Sequence, residues 1–281
     1  MRVHHLNCGS MREIAPDESE RRPLPTKPAV CHCLLLEAED RLIVVDTGLG
    51  LTDVRHPEES LGLEFLGRAA PLLDENETLL RQVERLGFDP ADVRDIVLTH
   101  LDLDHSGGVP DFPHARVHVH QAELDAAVPY HGRHPEDRIR YRSAHWAHEP
   151  HWVTYAETAG DPWFGFDAVR ELRDLPAEIL LIPLAGHTAG HCAVAAQADN
   201  GWLLHAGDAY YYHGELDAQG QRPHPLMNVL ANATEVERPL RLGNLARLRE
   251  LHRDHADTVS IVSAHDPWEL AEHQEPAADL V

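Results

Sequence analysis

The chain is short of basic residues. Its 24 lysines and arginines face 47 aspartates and glutamates, a net charge of -23. Nucleic acid and anionic membrane surfaces both need a basic face, so neither is expected as a partner. Cysteine is scarce as well. Cys8, Cys31, Cys33 and Cys192 form no Cys-x-x-Cys pair and no zinc-knuckle spacing. Cys31 and Cys33 flank His32 in an apolar run and read as small buried thiols on one side of a strand. With no disulfide framework and no signal peptide, a reducing, cytoplasmic setting is expected. No apolar run reaches the ~20 residues that a membrane span requires. No serine or cysteine stands in a recognisable nucleophile elbow, so none is assigned as a nucleophile.

What the chain has in quantity is histidine, 23 residues among 281, and a 43% apolar fraction that supports a sizeable core. Most of the histidines must be ordinary, so position has to select the functional ones. The stretch Leu98–Gly108 does so. It places His100, Asp102, Asp104 and His105 within six positions, directly after the apolar run Ile96-Val97-Leu98 and just before Ser106-Gly107-Gly108. A strand delivers its end into a turn that carries four metal-capable side chains. If strand geometry persists, His100 and Asp102 point one way and Asp104 and His105 another. One short loop then serves two neighbouring metals.

Along the chain, Val3–Gly9 reads as a first strand with His4 and His5 as pocket-rim residues, and 13–28 as a Pro-rich loop. Two strands follow, Ala29–Glu37 and Arg41–Val45. Asp46 ends the second, where a carboxylate can cap the next loop or orient metal-binding residues. Residues 50–75 are irregular, with a short helix near Leu61–Ala70. A helix is expected over Asn76–Leu86, a strand over Asp95–His100 and another over His114–His120, with Arg116, His118 and His120 on a solvated face. Gln121–Ala127 reads as helix. Residues 128–165 lack a clean period but concentrate Tyr130, His131, His134, His145, Trp146, His148, His151 and Trp152, as expected of a lid or a homodimer contact. Arg138, Arg140 and Arg142 would bind a substrate anion or form salt bridges. Glu178–Leu184 is strand-like, Cys192–Ala196 and Trp202–His205 form a hairpin, and 213–234 is a loop. Glu235–His255 is an amphipathic helix with Leu240, Leu242, Leu245, Leu248 and Leu251 apolar. Thr258–Ser263 is a last strand, and a short acidic tail follows Pro267. Apolar strands thus end in His or Asp at His100, His187, Asp208 and His265. This places one site at one edge of the sheets. No linker divides the chain, so 1–281 reads as one domain.

His-x-Asp-x-Asp-His at 100–105, Gly-His-Thr-Ala-Gly-His at 186–191, Gly-Asp at 207–208, Ala-His at 264–265 and Asp46-Thr47-Gly48 together resemble the metallo-β-lactamase-fold superfamily. In layout they are most similar to its lactonase-like branch. The resemblance implies an α/β fold, a four-layer αβ/βα sandwich of two β-rich halves with outer helices and a dinuclear metal site at the sandwich edge. It assigns His100 and His187 to the first metal, Asp104, His105 and His265 to the second, and Asp208 to both. Tyr211 stands at the offset of a substrate-contacting tyrosine in the lactonases. His191 is not usually a ligand, and a structural role is expected. The departure is Asp102, where the family has His. It either replaces the imidazole as a ligand, reaches the metal through water, or leaves the first site weakened. Diiron flavoproteins of this fold carry a glutamate there. A third carboxylate beside Asp104 and Asp208 shifts preference from zinc toward harder ions such as manganese or iron.

The implied function is metal-dependent hydrolysis of a small-molecule substrate. A metal-bound hydroxide attacks an ester, lactone or thioester carbonyl, Asp104 orients it and shuttles a proton, and Tyr211 donates to the oxyanion. Competing expectations are phosphodiester or glutathione-thioester hydrolysis, an iron-dependent oxidoreductase or dioxygenase, and a non-catalytic metal-binding protein. Fold membership alone does not choose among them.

Overall fold

Continuous apolar runs such as Leu34-Leu35-Leu36 and Ile43-Val44-Val45 demand cover on both faces of a sheet. The computed structural model, which describes residues 1–18, 20, 23–39, 41–128, 140–156, 160–168, 172–199, 201–217 and 222–274, provides it. Arg2–Ile14 (β1) pairs antiparallel with Lys27–Glu37 (β2), which pairs with Leu42–Val45 (β3). Val93–Val97 (β4), Arg116–His120 (β5) and His151–Tyr155 (β6) continue the sheet in parallel. Asp161–Trp163 (β7) and Phe166–Ala168 (β8) make a separate small ribbon. Ile179–Pro183 (β9), Cys192–Ala198 (β10), Gly201–His205 (β11) and Val259–Val262 (β12) form the second sheet, ordered β12-β11-β10-β9.

Alternation along the strands sorts the side chains into layers. Leu34, Leu36, Ile43, Val45 and Val97 of the first sheet meet Ile179, Leu181, Val194, Leu203 and Val262 of the second. On the other face of the first sheet, Leu35, Val44, Ile96 and Val117 pack against Leu79 and Val83 of the helix Leu79–Arg85. On the outer face of the second sheet, Leu180, Ile182, Ala195 and Leu204 pack against Leu245, Leu248 and Leu251 of the helix Arg238–His255. Each of those leucines contributes about 1.5–3 kcal/mol by leaving water. The result is helix, sheet, sheet, helix: the expected four-layer α/β sandwich.

Several local expectations are corrected. Leu240 and Leu242 are exposed, because only 245, 248 and 251 recur on the face that meets the sheet. The loop expected over 213–234 contains a helix, Pro225–Thr234, started by Pro225 and capped by the His224 ring on Met227 N. The tail after Pro267 opens as the helix Pro267–His273, whose first amides donate to Asp266 Oδ1. Within 50–75 three short helices stand, Leu51–Arg55, Pro57–Ser60 and Leu63–Ala69. His118 and His120 are buried rather than solvated: His118 sits between Asp95 Oδ1 (3.0 Å) and the Tyr155 hydroxyl (2.8 Å). His4 and His5 are away from the candidate centre, His4 on Glu37 and His5 on His32. The 128–165 segment is part framework, since its residues 151–155 are the edge strand β6. Tyr130, His131, His134 and Arg138 lie outside the described residues. Among the described residues, no helix is long and apolar enough to cross a membrane.

Candidate metal centre

Four loops bring the candidate residues together, each leaving the C-terminal end of a strand: β4, β9, β11 and β12. This is the edge where open α/β sheets bind ligands. After β4 the chain does not stay extended. Asp102 instead caps the short helix Leu103–Ser106, its carbonyl accepting from His105 N and Ser106 N. Strand alternation is therefore not what separates His100 and Asp102 from Asp104 and His105. A turn followed by a helix start does it.

The side chains fall into two groups, His100, Asp102, His187 and Asp208, and Asp104, His105 and His265. Asp208 faces both. Its Oδ2 lies 3.3 Å from His187 Nε2 and 3.9 Å from His100 Nε2. Its Oδ1 lies 3.2 Å from His105 Nε2 and 3.2 Å from His265 Nε2. Asp102 Oδ2 is 3.5 Å from His100 Nε2 and 3.0 Å from His187 Nε2. Asp104 reaches His265 Nε2 at 3.6 Å and His105 Nε2 at 4.0 Å. Asp102 and Asp104 are half-buried and the other five are buried, so the mouth of the centre lies over these two carboxylates.

The donor set fits a divalent cation. His100 Nε2, His105 Nε2 and Asp208 Oδ1 are buried without a hydrogen-bond partner. Leaving such atoms unsatisfied costs roughly 1–3 kcal/mol each, and an ion at His100 with another between His105 and Asp208 Oδ1 would satisfy all three. Imidazole nitrogen with carboxylate oxygen suits zinc, manganese or iron. The electrostatics also favour positive charge. Burial opposes ionisation of Asp208, but His265, His105 and His187 outweigh it and hold the carboxyl well below its usual range. Burial likewise opposes protonation of His265, yet Asp208 and Asp104 bring it up to about 9. His105 is raised in the same way by Asp208 and Asp46.

The surroundings fix these rings. Asp46 adopts a left-handed backbone, φ 54°, a conformation that Asp tolerates and that concentrates at functional sites. There its carboxylate accepts from Thr99 N (2.8 Å) and Thr99 Oγ1 (2.7 Å) and lies 2.8 Å from His105 Nδ1. His265 Nδ1 is held 2.8 Å from Val30 O. His191 acts as scaffold: Nδ1 donates to Leu184 O, and Nε2 accepts from Asp208 N at 3.0 Å. Of three consecutive tyrosines only Tyr211 turns to the centre, donating to Asp208 Oδ2 at 2.7 Å and stacking on His265. Tyr210 donates to Glu269 and Tyr212 to Glu20.

Of three positioning residues, Glu123 was not picked out from the sequence, His145 was named only within the 128–165 segment, and Arg140 only as an anion binder or salt-bridge partner. Glu123 is fully buried and accepts from Leu101 N (3.0 Å), Gly190 N (3.1 Å) and the Tyr141 hydroxyl (3.1 Å). It ties the 98–108 loop to the 186–191 loop. Its signal was an acid spaced four residues from Ala127, on the buried side of a short helix. His145 lies 3.2 Å from Ser106 Oγ and 2.9 Å from Asp53 Oδ1, joining the metal-motif loop to the first helix. Arg140 stands 3.3 Å from Asp102 Oδ1. Arg142 donates to Ser60 O and Glu59 O, away from the centre.

Two facing sheets with a histidine- and aspartate-lined centre at their edge define the class, and sequence comparison gives the same one. The chain belongs to the metallo-beta-lactamase superfamily, whose family model matches residues 26–263. A Mycobacterium tuberculosis protein named a probable metallo-hydrolase is 41% identical over 267 residues, 95% of this chain and 81% of its own. The N-acyl homoserine lactonase AiiA of Bacillus thuringiensis is 24% identical over 216 residues, 74% of this chain and 78% of its own. Among solved structures, an N-acyl homoserine lactone hydrolase with N-hexanoyl-L-homoserine bound at its catalytic metal centre superposes with a TM-score of 0.68. It shares 20% identity and covers 97% of this chain and 96% of its own. That likeness shows the fold.

Proposed function

We propose that this chain is a dinuclear metal-dependent hydrolase acting on an ester, lactone or thioester of a small molecule. One observation carries the reading: the two oxygens of Asp208 each face a separate pair of histidine nitrogens, the arrangement of a carboxylate shared by two ions. His100, His187 and Asp102 would hold one ion and Asp104, His105 and His265 the other, with Asp208 common to both. Zinc, manganese or iron bound there would supply Lewis acidity and an activated water near neutral pH.

The remaining roles belong to this chain's own groups. Asp104, at the mouth, is placed to take a proton at its carboxylate and return it to the leaving alkoxide. The Tyr211 hydroxyl, pushed far above its usual pKa by burial and then by Asp208, stays protonated, and the proton it gives Asp208 Oδ2 here would have to turn to a developing oxyanion once an ion engages that oxygen. Among the described residues, phosphodiester and glutathione-thioester readings gain no support from Arg140 or Arg142: Arg140, beside the centre, is engaged with protein atoms, and Arg142 is engaged away from it. The lactonase relatives favour a lactone or ester.

The test is elemental analysis of the purified protein alongside a screen of lactones and aryl esters. Two metals per chain with hydrolysis are expected. Protein that takes up neither zinc, manganese nor iron, or metal-loaded protein inert toward every ester and lactone, would overturn the reading.

A further inference from the structure

Among the seven candidate donors, Asp102 is the one that pairs with an arginine among the described residues. Its Oδ2 faces His100 and His187, while its Oδ1 faces Arg140 Nε at 3.3 Å. The Arg140 side chain is only 9% exposed. Its far end is anchored to backbone: Nη1 donates to His187 O at 3.1 Å and Nη2 donates to Thr234 O. Nη1 and Nη2 are hydrogen-bonded to backbone while Nε makes an ion-pair contact with Asp102 Oδ1 that is not a hydrogen bond, so the guanidinium position is set by two loops and a helix end rather than by solvent. A fixed planar cation behind a half-buried carboxylate does two things. It cancels the charge, and it turns one chosen oxygen toward the cluster.

We propose that Asp102 and Arg140 work as one unit in the first subsite, in which Arg140 neutralises Asp102 and presents a single oxygen to the ion held by His100 and His187. The inference rests on the metal reading above and deepens it. Asp102, Asp104 and Asp208 carry three negative charges. Arg140 brings the set back to a net of two, which is what a neutral imidazole at position 102 would leave if no arginine stood behind it. The extra carboxylate then gives no net electrostatic reason for the centre to prefer a harder ion. Arg140 also links the loop of Asp102 to the loop of His187, so it preorganises both donors of one subsite. It is a positioning residue and not a group that touches substrate.

The experiment is a cycle of Arg140→Met, Asp102→His and the double variant, with Arg140→Lys as the conservative replacement. Two readouts are taken on each: Tm of the metal-free protein, and zinc stoichiometry and affinity by chelator competition. Arg140→Met is expected to weaken the first zinc by about 10–100-fold, as loss of such an outer partner typically does, and to leave the second in place. Asp102→His strands a buried guanidinium beside a neutral ring, so metal-free Tm should fall by about 5 °C or more. The double variant should recover both quantities toward wild type, and Arg140→Lys should fall between wild type and Arg140→Met.

Tighter zinc binding by Arg140→Met would make Arg140 only a repelling charge and would overturn the proposal. So would Asp102→His protein with unchanged Tm, or a double variant whose effects are the sum of the two single variants. Wild type that binds no zinc, manganese or iron would instead overturn the metal reading. The metal-free Tm cycle would then still decide the ion pair by itself, with additivity refuting it.

Discussion

Glu123→Gln is the substitution whose cost the structure defines most closely. The carboxylate is fully buried and takes three donors, Leu101 N and the Tyr141 hydroxyl on Oε1 and Gly190 N on Oε2. Glutamine has nearly the same shape but only one acceptor oxygen. If that oxygen keeps Leu101 N, the new amide N–H₂ points at the Gly190 N–H, donor against donor. Leaving that amide unsatisfied costs roughly 1–3 kcal/mol, and the surviving bonds lose their charge assistance. A total of roughly 2–4 kcal/mol, at about 2–4 °C per kcal/mol for a domain near this size, lowers Tm by roughly 4–16 °C. The measurement is thermal unfolding of metal-free protein by circular dichroism. A second effect follows from where the bonds end. Leu101 lies between His100 and Asp102, and Gly190 lies between His187 and the Cys192 strand start, so both loops of the first subsite lose a shared anchor. Zinc affinity there should drop about tenfold or more. A Glu123→Gln protein with Tm within about 1 °C of wild type and unchanged zinc affinity would refute the claim that this carboxylate ties the two loops.

Other expectations follow from the same geometry. A Cβ at Gly190 would lie 2.2 Å from Glu123 N, so Gly190→Ala should fail to give folded protein in expression and circular dichroism. Gly243→Ala, where a Cβ meets nothing within 4 Å inside a helix, should raise stability by about 0.5–1 kcal/mol and serves as the control. Tyr211→Phe removes the donor on Asp208 and should lower kcat by about 10²-fold with little change in KM; steady-state kinetics with the best lactone or ester decide, and an unchanged kcat/KM would remove the oxyanion role. His5 is held down to about 3 from 6.5, by burial first and then by His273 and His205. A depressed histidine adds stability that is present above pH 6.5 and lost as pH falls toward 3. Urea midpoints should therefore drop from pH 7 to pH 4, and His5→Gln should flatten that slope; parallel slopes would exclude His5 as the source.

The architecture was legible because the signals were redundant. Continuous apolar runs named the central strands, and Gly-rich turns after them marked where side chains gather at one edge. His100, His187, Asp208 and His265 could be selected from 23 histidines and many more acids because each follows an apolar run, and His105 because it crowds with Asp102 and Asp104 just after one. What was not legible depended on which surface covers which face. The alternation Arg116-Val117-His118-Val119-His120 is equally consistent with a wet or a dry histidine face, and only the neighbouring Asp95 and Tyr155 make it dry. Residues 213–234 read as a loop and the stretch after Pro267 as a tail, yet Pro225 and Pro267 each stand at the first turn of a helix, where a missing N–H costs nothing. Glu123 was invisible as a positioning group, and the partner of the salt bridge open to Arg140 could not be named, because their partners lie far along the chain, at Gly190 and at Asp102 and Thr234. Position-by-position reading finds residues that meet a ligand. It does not find residues that meet those residues.

Each candidate subsite draws on both halves of the chain. His100 and Asp102 face His187 and Asp208, and Asp104 and His105 face His265 and Asp208. On the proposed reading, an ion in either place is a cross-link between the two sheets. An ion that binds only the folded chain adds about 2.7 kcal/mol at a free concentration one hundred times its Kd. That lowers the population of opened chain that a protease can cut. Metal supply would then govern how long this protein survives in a cell as well as how fast it turns over, and starvation for the ion would clear the protein rather than store it in an idle form.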